Sequence, residues 1–231
     1  MAANLTDTNQ ESTMIESQGS SRMTMVLALL TIVGVAVYLV NYTALHFLRP
    51  DVNAVLEPLS NYAVGPYGFL GVAANIGTGL AALALTLGLY WGIAPRGRSY
   101  VGLFLLGIYG VSELMAAIFA IDVGAEATMA GTIHNIVGNI AFFAFPIGVI
   151  LLSLGMGKDE RWRSFRRTAL AVSVLVVLTV ILTMVGSQLG IGFGLTQRLA
   201  NVTALAWMLL VALHLRSLAQ GAVTQQPSLV R

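Results

Sequence analysis

Long apolar stretches dominate this chain and restrict its fold more than any other feature. Six of them cover approximately residues 23–47, 68–94, 99–121, 131–155, 166–188 and 198–218. A helix of about 20 residues crosses a hydrocarbon core roughly 30 Å thick, and a helix satisfies its own backbone hydrogen bonds in lipid. The sequence therefore predicts an all-α fold, a polytopic bundle of six transmembrane helices.

The composition supports a membrane protein and excludes several kinds of chemistry. Of the 231 residues, 57% are hydrophobic and only 10% are charged, which is too apolar for a water-soluble domain. Cysteine is absent, so disulfides, thiolate metal ligands, iron–sulfur clusters and a cysteine nucleophile are excluded. The net charge of +2 comes from short arginine clusters beside apolar spans, which indicates insertion topology rather than nucleic-acid binding.

The polar ends of the chain divide it into three parts. Residues 1–21 are polar, lack periodicity and do not resemble a signal peptide, so we expect a disordered N-terminal tail. Residues 22–218 form the predicted six-helix transmembrane domain, and residues 219–231 form a short C-terminal tail. No stretch between the spans is long enough for a soluble domain.

Basic residues in the short loops predict the orientation. Ten of the twelve lie on the side of the N-terminal tail: Arg22, Arg96, Arg98, Lys158, Arg161, Arg163, Arg166, Arg167, Arg216 and Arg231. Only Arg49 and Arg198 lie on the other side. Because positive loops stay in the cytoplasm, both termini are predicted to be cytoplasmic in a multi-pass protein of the inner or plasma membrane. Residues 48–67, 122–130 and 189–197 are then external.

This topology gathers polar side chains at the external face. The predicted members of a ligand-binding pocket there are Glu57, Ser60, Tyr62, Asp122, His134, Gln197 and Arg198. The leading hypothesis is a pocket that binds a membrane lipid headgroup or a small polar ligand. Arg198 would hold an anionic group, and Asp122 would fix the orientation of His134.

Glu113 is the one ionisable residue well inside a span, about 12 Å from the outer end of the third helix at 1.5 Å per residue. A bare carboxylate is costly there, so we expect it to be protonated, paired with Arg198 or Tyr109, or exposed to a water-filled cavity. An alternative function follows, a proton-sensitive transporter or scramblase that uses Glu113.

Asp122 and His134 permit three chemical interpretations: a salt bridge between helix ends, a general base with its orienting acid, or part of a metal site. The last two would make the protein a metal- or base-assisted lipid hydrolase, with His134 and Asp122 as catalytic candidates. Zinc would need a third ligand such as His46, although no HExxH spacing is present. A triad with Ser60 lacks a nucleophile elbow. Three histidines at opposite faces exclude bis-histidine haem.

Small and amide residues recur at four-residue spacing within the spans. Asn135 and Asn139 lie one turn apart on the fourth span, and Gly71, Asn75 and Gly79 repeat this spacing on the second. Unpaired amides are costly against lipid, so we expect these positions to face other helices. Close helix packing through the glycines, with the amides as hydrogen-bonding groups, explains them without a ligand.

Three segments carry a resemblance to a known family: "LEPLSNYAVGPYGFLGVAANIGTGLAALAL", "AIDVGAEATMAGTIHNIVGNIAFFAFPIGVILL" and "GLTQRLANVTALAWMLLVAL". The chain resembles, over residues 25–217, a family of mainly prokaryotic integral membrane proteins known as domain of unknown function nine-nine-eight. The matching elements are Leu59, Ser60 and Tyr62, then Asp122, Gly131, His134, Gln197 and Arg198. The resemblance implies a six-helix bundle in a prokaryotic cytoplasmic membrane and implies no reaction.

Overall fold

The computed structural model describes residues 3–124, 126–186 and 188–224, and the side chains of residues 19–124, 126–186 and 188–222. The α-helices in this part of the chain are α1 (Ala3–Leu48), α2 (Gly68–Gly92), α3 (Tyr100–Ile118), α4 (Met129–Met156), α5 (Glu160–Arg163), α6 (Arg166–Val185) and α7 (Phe193–Thr224). Two 3₁₀ helices, Leu59–Ala63 and Pro95–Gly97, lie in the connections. The described residues contain no strand.

Six helices are long and apolar enough to cross a membrane, which confirms the predicted multi-pass bundle. The spans are Gly19–Leu48, Gly68–Gly92, Tyr100–Ile118, Met129–Met156, Arg166–Val185 and Phe193–Ala222. The last span begins about five residues before the predicted start at residue 198. Gln197 and Arg198 therefore lie within the second turn of α7 rather than at its opening.

The helices extend further at both ends of the chain than the predicted spans. Helix α1 begins at Ala3, within residues 1–21. Helix α7 continues to Thr224, so it includes the first residues of the predicted C-terminal tail. Residues 225–231 of that tail lie outside the described residues.

The six spans form a closed ring in the order α1, α2, α3, α4, α6, α7, and the contact between α4 and α6 is the least extensive of its seams. Residues 49–67, 119–128 and 186–192 lie at one end of the ring, called here the first-loop end. Residues 93–99 and 157–165 lie at the other, called the arginine end. Neighbouring spans run antiparallel because the connections are short.

Glycines allow α2 and α3 to approach each other closely. A Cβ on Gly79 would come within 2.8 Å of the carbonyl oxygen of Gly110, and a Cβ on Gly110 within 2.9 Å of that of Gly79. No real side chain tolerates such a distance to a backbone atom, so both positions need glycine at this separation. This contact matches the small-residue packing expected from the sequence.

Candidate functional site

A cavity of about 120 Å³ opens in the half of the bundle nearer the first-loop end. Helices α1, α2, α3, α4 and α7 and the first 3₁₀ helix provide its polar lining, and α6 provides two valines. The polar lining residues are Tyr38, Tyr42, Ser60, Asn75, Tyr109, Glu113, His134, Gln197 and Asn201. Four of the residues singled out from the sequence therefore line one cavity: Ser60, Glu113, His134 and Gln197.

Glu113 lies in this cavity among tyrosines. Tyr109 lies one turn earlier on α3 and also lines the cavity. Tyr38 and Tyr42 of α1 are close enough to interact with the carboxyl electrostatically. No ion pair joins Glu113 to Arg198 within the described residues. Of the arrangements expected for Glu113, the structure has exposure to a cavity but not the pairing with Arg198.

Arg198 holds three elements together beside the cavity. Its Nε donates to His46 Nε2 at 2.9 Å, and its Nη1 donates to the carbonyl oxygens of Glu57 at 3.0 Å and Gly194 at 2.9 Å. His46 Nδ1 lies 2.6 Å from the Tyr42 carbonyl oxygen. Because a carbonyl only accepts, Nδ1 carries the proton and Nε2 is free to accept from Arg198.

Tyr62 packs against Arg198 near the cavity. The guanidinium carbon of Arg198 is 5.6 Å from the centre of the Tyr62 ring, which is buried. His46 and Tyr42 also pack against this ring, at centroid distances of 5.1 and 6.2 Å. None of Arg198, Tyr62 and His46 lines the cavity. Arg198 Nη2 is buried without a hydrogen-bond partner among the described residues.

The first loop, residues 49–67, is bonded to α7 beside the cavity. Gln197 Oε1 accepts a hydrogen bond from the Leu59 amide at 2.7 Å, so the 3₁₀ helix is fixed to α7. Ser60, the next residue, lines the cavity. The Glu57 carboxylate points elsewhere and accepts from Asn61 Nδ2 at 3.0 Å. Glu57 therefore contributes its carbonyl oxygen to Arg198 and does not line the cavity.

Arg49 organises the same loop, which sequence analysis did not anticipate. Its guanidinium makes a bidentate contact with Asp51 and donates to the carbonyl oxygens of Val64 at 2.7 Å and Pro66 at 3.0 Å. The hydrogen bond and charge of Asp51 raise the pKa of the Arg49 guanidinium, while the same hydrogen bond lowers the pKa of Asp51. Arg49 thus joins both ends of the loop.

Asp122 lies in the connection before α4 and makes no hydrogen bond to His134. Its carboxylate accepts from the Thr128 amide at 2.9 Å and from the Thr128 hydroxyl at 2.7 Å, while Thr128 caps the helix by accepting from the Gly131 amide. The side-chain hydrogen bond from Thr128 is the main reason that the pKa of Asp122 is lowered. The capping carboxylate also lies at the positive end of the helix dipole.

His134 is oriented by a backbone carbonyl. Its Nδ1 lies 2.8 Å from the carbonyl oxygen of Phe119 and therefore carries a proton. The side chain is buried and lines the cavity. The hypothesis that Asp122 fixes the orientation of His134 is wrong, because the threonine that caps α4 occupies both oxygens of the carboxylate.

The metal-site and triad interpretations need residues that the fold keeps apart. His46 bonds to Arg198, Asp122 caps α4, and His134 bonds to the Phe119 carbonyl. Among the described residues, no group of three or more histidine, cysteine, aspartate or glutamate side chains could hold a metal ion. A Ser60–His134–Asp122 relay also lacks its hydrogen bond between histidine and aspartate.

Asn135 and Asn139 face outward rather than toward other helices. Both side chains are exposed on the surface of α4, and Asn139 Nδ2 donates to the Asn135 carbonyl at 2.9 Å. His134 and Gly138 occupy the cavity side of the same turns. Because residues one position apart differ by about 100° around a helix, only one of these pairs can face the cavity.

Several cavity residues escaped the sequence analysis. Tyr38 and Tyr42 lie one turn apart on α1, and Asn201 follows Gln197 by one turn on α7. Asn75 of α2, which was expected to face another helix, also lines the cavity. The Tyr42 hydroxyl donates to Asn75 Oδ1 at 3.2 Å and joins α1 to α2. The available signal was the four-residue spacing of polar aromatic or amide side chains inside apolar spans.

Comparison with known proteins adds the family but no activity. No curated protein and no solved structure matches the chain. One family model matches residues 32–214, which include every residue that lines the cavity. The chain belongs to this family, a protein family of unknown function known as DUF998.

Proposed function

We propose that this protein binds a small polar ligand or the headgroup of a membrane lipid in the cavity. One observation carries the proposal: polar side chains from five spans surround the Glu113 carboxyl in an otherwise apolar bundle. A polar side chain within a membrane span costs free energy unless it has a hydrogen-bond partner or contacts water. Polar side chains around open space therefore favour a ligand or water as their partner.

The site residues have separate roles in this proposal. Ser60, Glu113, His134 and Gln197 contact the ligand because they line the cavity. Glu57, Tyr62 and Arg198 hold the first loop in position, as their contacts with one another and with α1 indicate. Asp122 positions the start of α4, the helix that carries His134.

The cavity faces the outside of a cytoplasmic membrane in this proposal. Nine of the eleven basic residues in the described part of the chain lie toward the arginine end, whereas the cavity lies nearer the first-loop end. The positive-inside bias of short loops favours the arginine end as cytoplasmic. The ligand would then reach the cavity from the external solution or from the outer leaflet.

Two glycine positions provide a matched test of the cavity. Gly138 lines it, and a Cβ there meets no atom within 4 Å. Gly107 on α3 lies outside the cavity and is also open, since its nearest neighbour for a Cβ is 3.9 Å away. Leucine has a higher helix propensity than glycine, so neither substitution should weaken its helix. Gly138→Leu fills the cavity, and Gly107→Leu serves as the control.

The measurement is native mass spectrometry of gently extracted protein, which reports bound small molecules and lipids. We expect bound molecules on the wild-type protein and on Gly107→Leu, and their loss from Gly138→Leu. A wild-type protein without bound molecules would overturn the proposal. The same occupancy on both glycine variants would overturn it as well.

A further inference from the structure

An apolar groove lies on the outer surface of the bundle between α4 and α6. It has a volume of about 320 Å³ and is lined by hydrophobic side chains, among them Ile147, Ile150, Val177 and Ile181. It follows α4 from Phe142 to Leu151, about 14 Å at 1.5 Å per residue. It lies on the seam of the ring where neighbouring helices make the least extensive contact.

The groove and the polar cavity share a wall. Phe142, Pro146 and Val180 line both, so the polar cavity and the apolar groove adjoin at these side chains. Pro146 has no backbone N–H, and it therefore leaves the carbonyl of Phe142 without its helical partner and favours a bend in α4 at this wall. The two spaces together form one amphipathic site.

The polar part of this site has the chemistry of an ammonium receptor. Two aromatic pairs line the cavity, Tyr38 with Tyr42 and Tyr109 with Phe145, each at a centroid distance of 4.5 Å. Glu113 lies among the three tyrosines. Aromatic faces attract a cation, and a carboxylate adds its charge.

The same lining offers little to an anion. No arginine or lysine lines the cavity, and Arg198, which packs against the Tyr62 ring, lies outside the lining. An anionic group in the cavity would therefore contact a carboxyl and no cationic side chain of the lining.

We propose that the ligand is a membrane lipid with an ammonium headgroup, which lies in the cavity beside Glu113 while a hydrocarbon chain occupies the groove between α4 and α6. This inference rests on the proposed function, because it names the class of ligand for the same cavity. The adjacent polar and apolar spaces match the two parts of such a lipid. The shared wall at Phe142 and Val180 is where the chain leaves the bundle.

The test compares two lipids that differ in the headgroup amine. The full-length protein is equilibrated in micelles with equal amounts of phosphatidylethanolamine and phosphatidylglycerol of identical chains, and bound lipid is measured by native mass spectrometry. Both lipids carry a phosphate, so the ratio of bound phosphatidylethanolamine to bound phosphatidylglycerol reports the preference for the ammonium group. We expect phosphatidylethanolamine to be retained about tenfold in preference. Glu113→Gln keeps the shape of the side chain and should bring the ratio close to one.

A pair of variants on α6 tests the groove. Ile181 lines it and is 49% exposed, whereas Leu178 lies outside it and is 55% exposed. We expect Ile181→Trp to reduce retention of both lipids by filling the groove, and Leu178→Trp to retain them as the wild-type protein does. Equal retention by the two tryptophan variants would refute the groove as the site of the chain.

Other outcomes separate this inference from the proposed function. Equal binding of the two lipids by the wild-type protein would refute ammonium recognition, while loss of both lipids in Gly138→Leu would still support a binding cavity. Retention of lipid by Gly138→Leu would instead count against the cavity itself. Free ethanolamine is the remaining competitor: if it displaces the lipid completely at millimolar concentration, the ligand is a soluble amine and the groove has no role.

Discussion

Replacing Arg198 by lysine tests whether Arg198 holds the first loop in position or binds a ligand. The arginine makes two hydrogen bonds outside its own helix, to His46 Nε2 and to the Glu57 carbonyl oxygen. These bonds use two nitrogens of a rigid guanidinium, Nε and Nη1. Lysine keeps the charge but has one nitrogen on a flexible stem, so it cannot reproduce both bonds in the same geometry.

The magnitude follows from the loss of one such bond. A hydrogen bond to a charged group contributes about 1.5–3 kcal/mol, so the first loop should open more easily by about 2 kcal/mol. Where local opening controls amide exchange, this corresponds to roughly 30-fold faster exchange. The Leu59 amide is a suitable reporter, because its acceptor is the side chain of Gln197, the neighbour of Arg198.

The assay is hydrogen–deuterium exchange of residues 50–63 in micelles, with Arg163→Lys as the control. Arg163 is exposed near the arginine end, so its replacement should leave exchange in the first loop unchanged. We also expect Arg198→Lys to keep the preference for phosphatidylethanolamine, because Arg198 does not line the cavity. Normal exchange together with lost lipid binding would refute this reasoning and support a direct anion-binding role for Arg198.

Two further predictions concern the external loops. The pKa of Asp122 is lowered by hydrogen bonds from the threonine that caps α4, so Asp122 stabilises the protein above its unfolded pKa of about 3.9 and loses this contribution as the pH falls through the folded value. The wild-type melting temperature should thus fall more between about pH 5 and about pH 3 than that of Asp122→Asn, and parallel curves would contradict this. For orientation, an impermeant maleimide should label Glu126→Cys in intact cells and Lys158→Cys only after permeabilisation, since both positions are exposed and the described chain has no other cysteine. The reverse labelling would place the cavity on the cytoplasmic side.

The spans were predictable because hydropathy is a property of the chain itself. The predicted fourth span, residues 131–155, differs from Met129–Met156 by two residues at its start and one at its end. A helix that must remain in the hydrocarbon core needs about 20 apolar residues whatever its neighbours are. The third span ends at Ile118 rather than at the predicted residue 121, so Glu113 lies about 7.5 Å from that end at 1.5 Å per residue and not about 12 Å.

Local hydrogen bonding decided several outcomes that spacing did not predict. Asp122 and His134 are close in sequence, yet Thr128 satisfies the carboxylate at the start of α4 and the Phe119 carbonyl satisfies the imidazole. A contact between Asp122 and His134 would have satisfied the carboxylate and the imidazole as well as the observed hydrogen bonds do. Periodicity contains no information that ranks them.

The sequence by itself determined six membrane spans, their approximate ends and the set of polar side chains near one end of the bundle. The tertiary structure alone decided which of these side chains share a cavity, because that depends on the order of the helices around the ring and on the rotation of each about its axis. Hydropathy constrains neither within the apolar spans, where both faces are hydrophobic. Thus Tyr38, Tyr42 and Asn75 line the cavity, whereas Asn135 and Asn139 face outward.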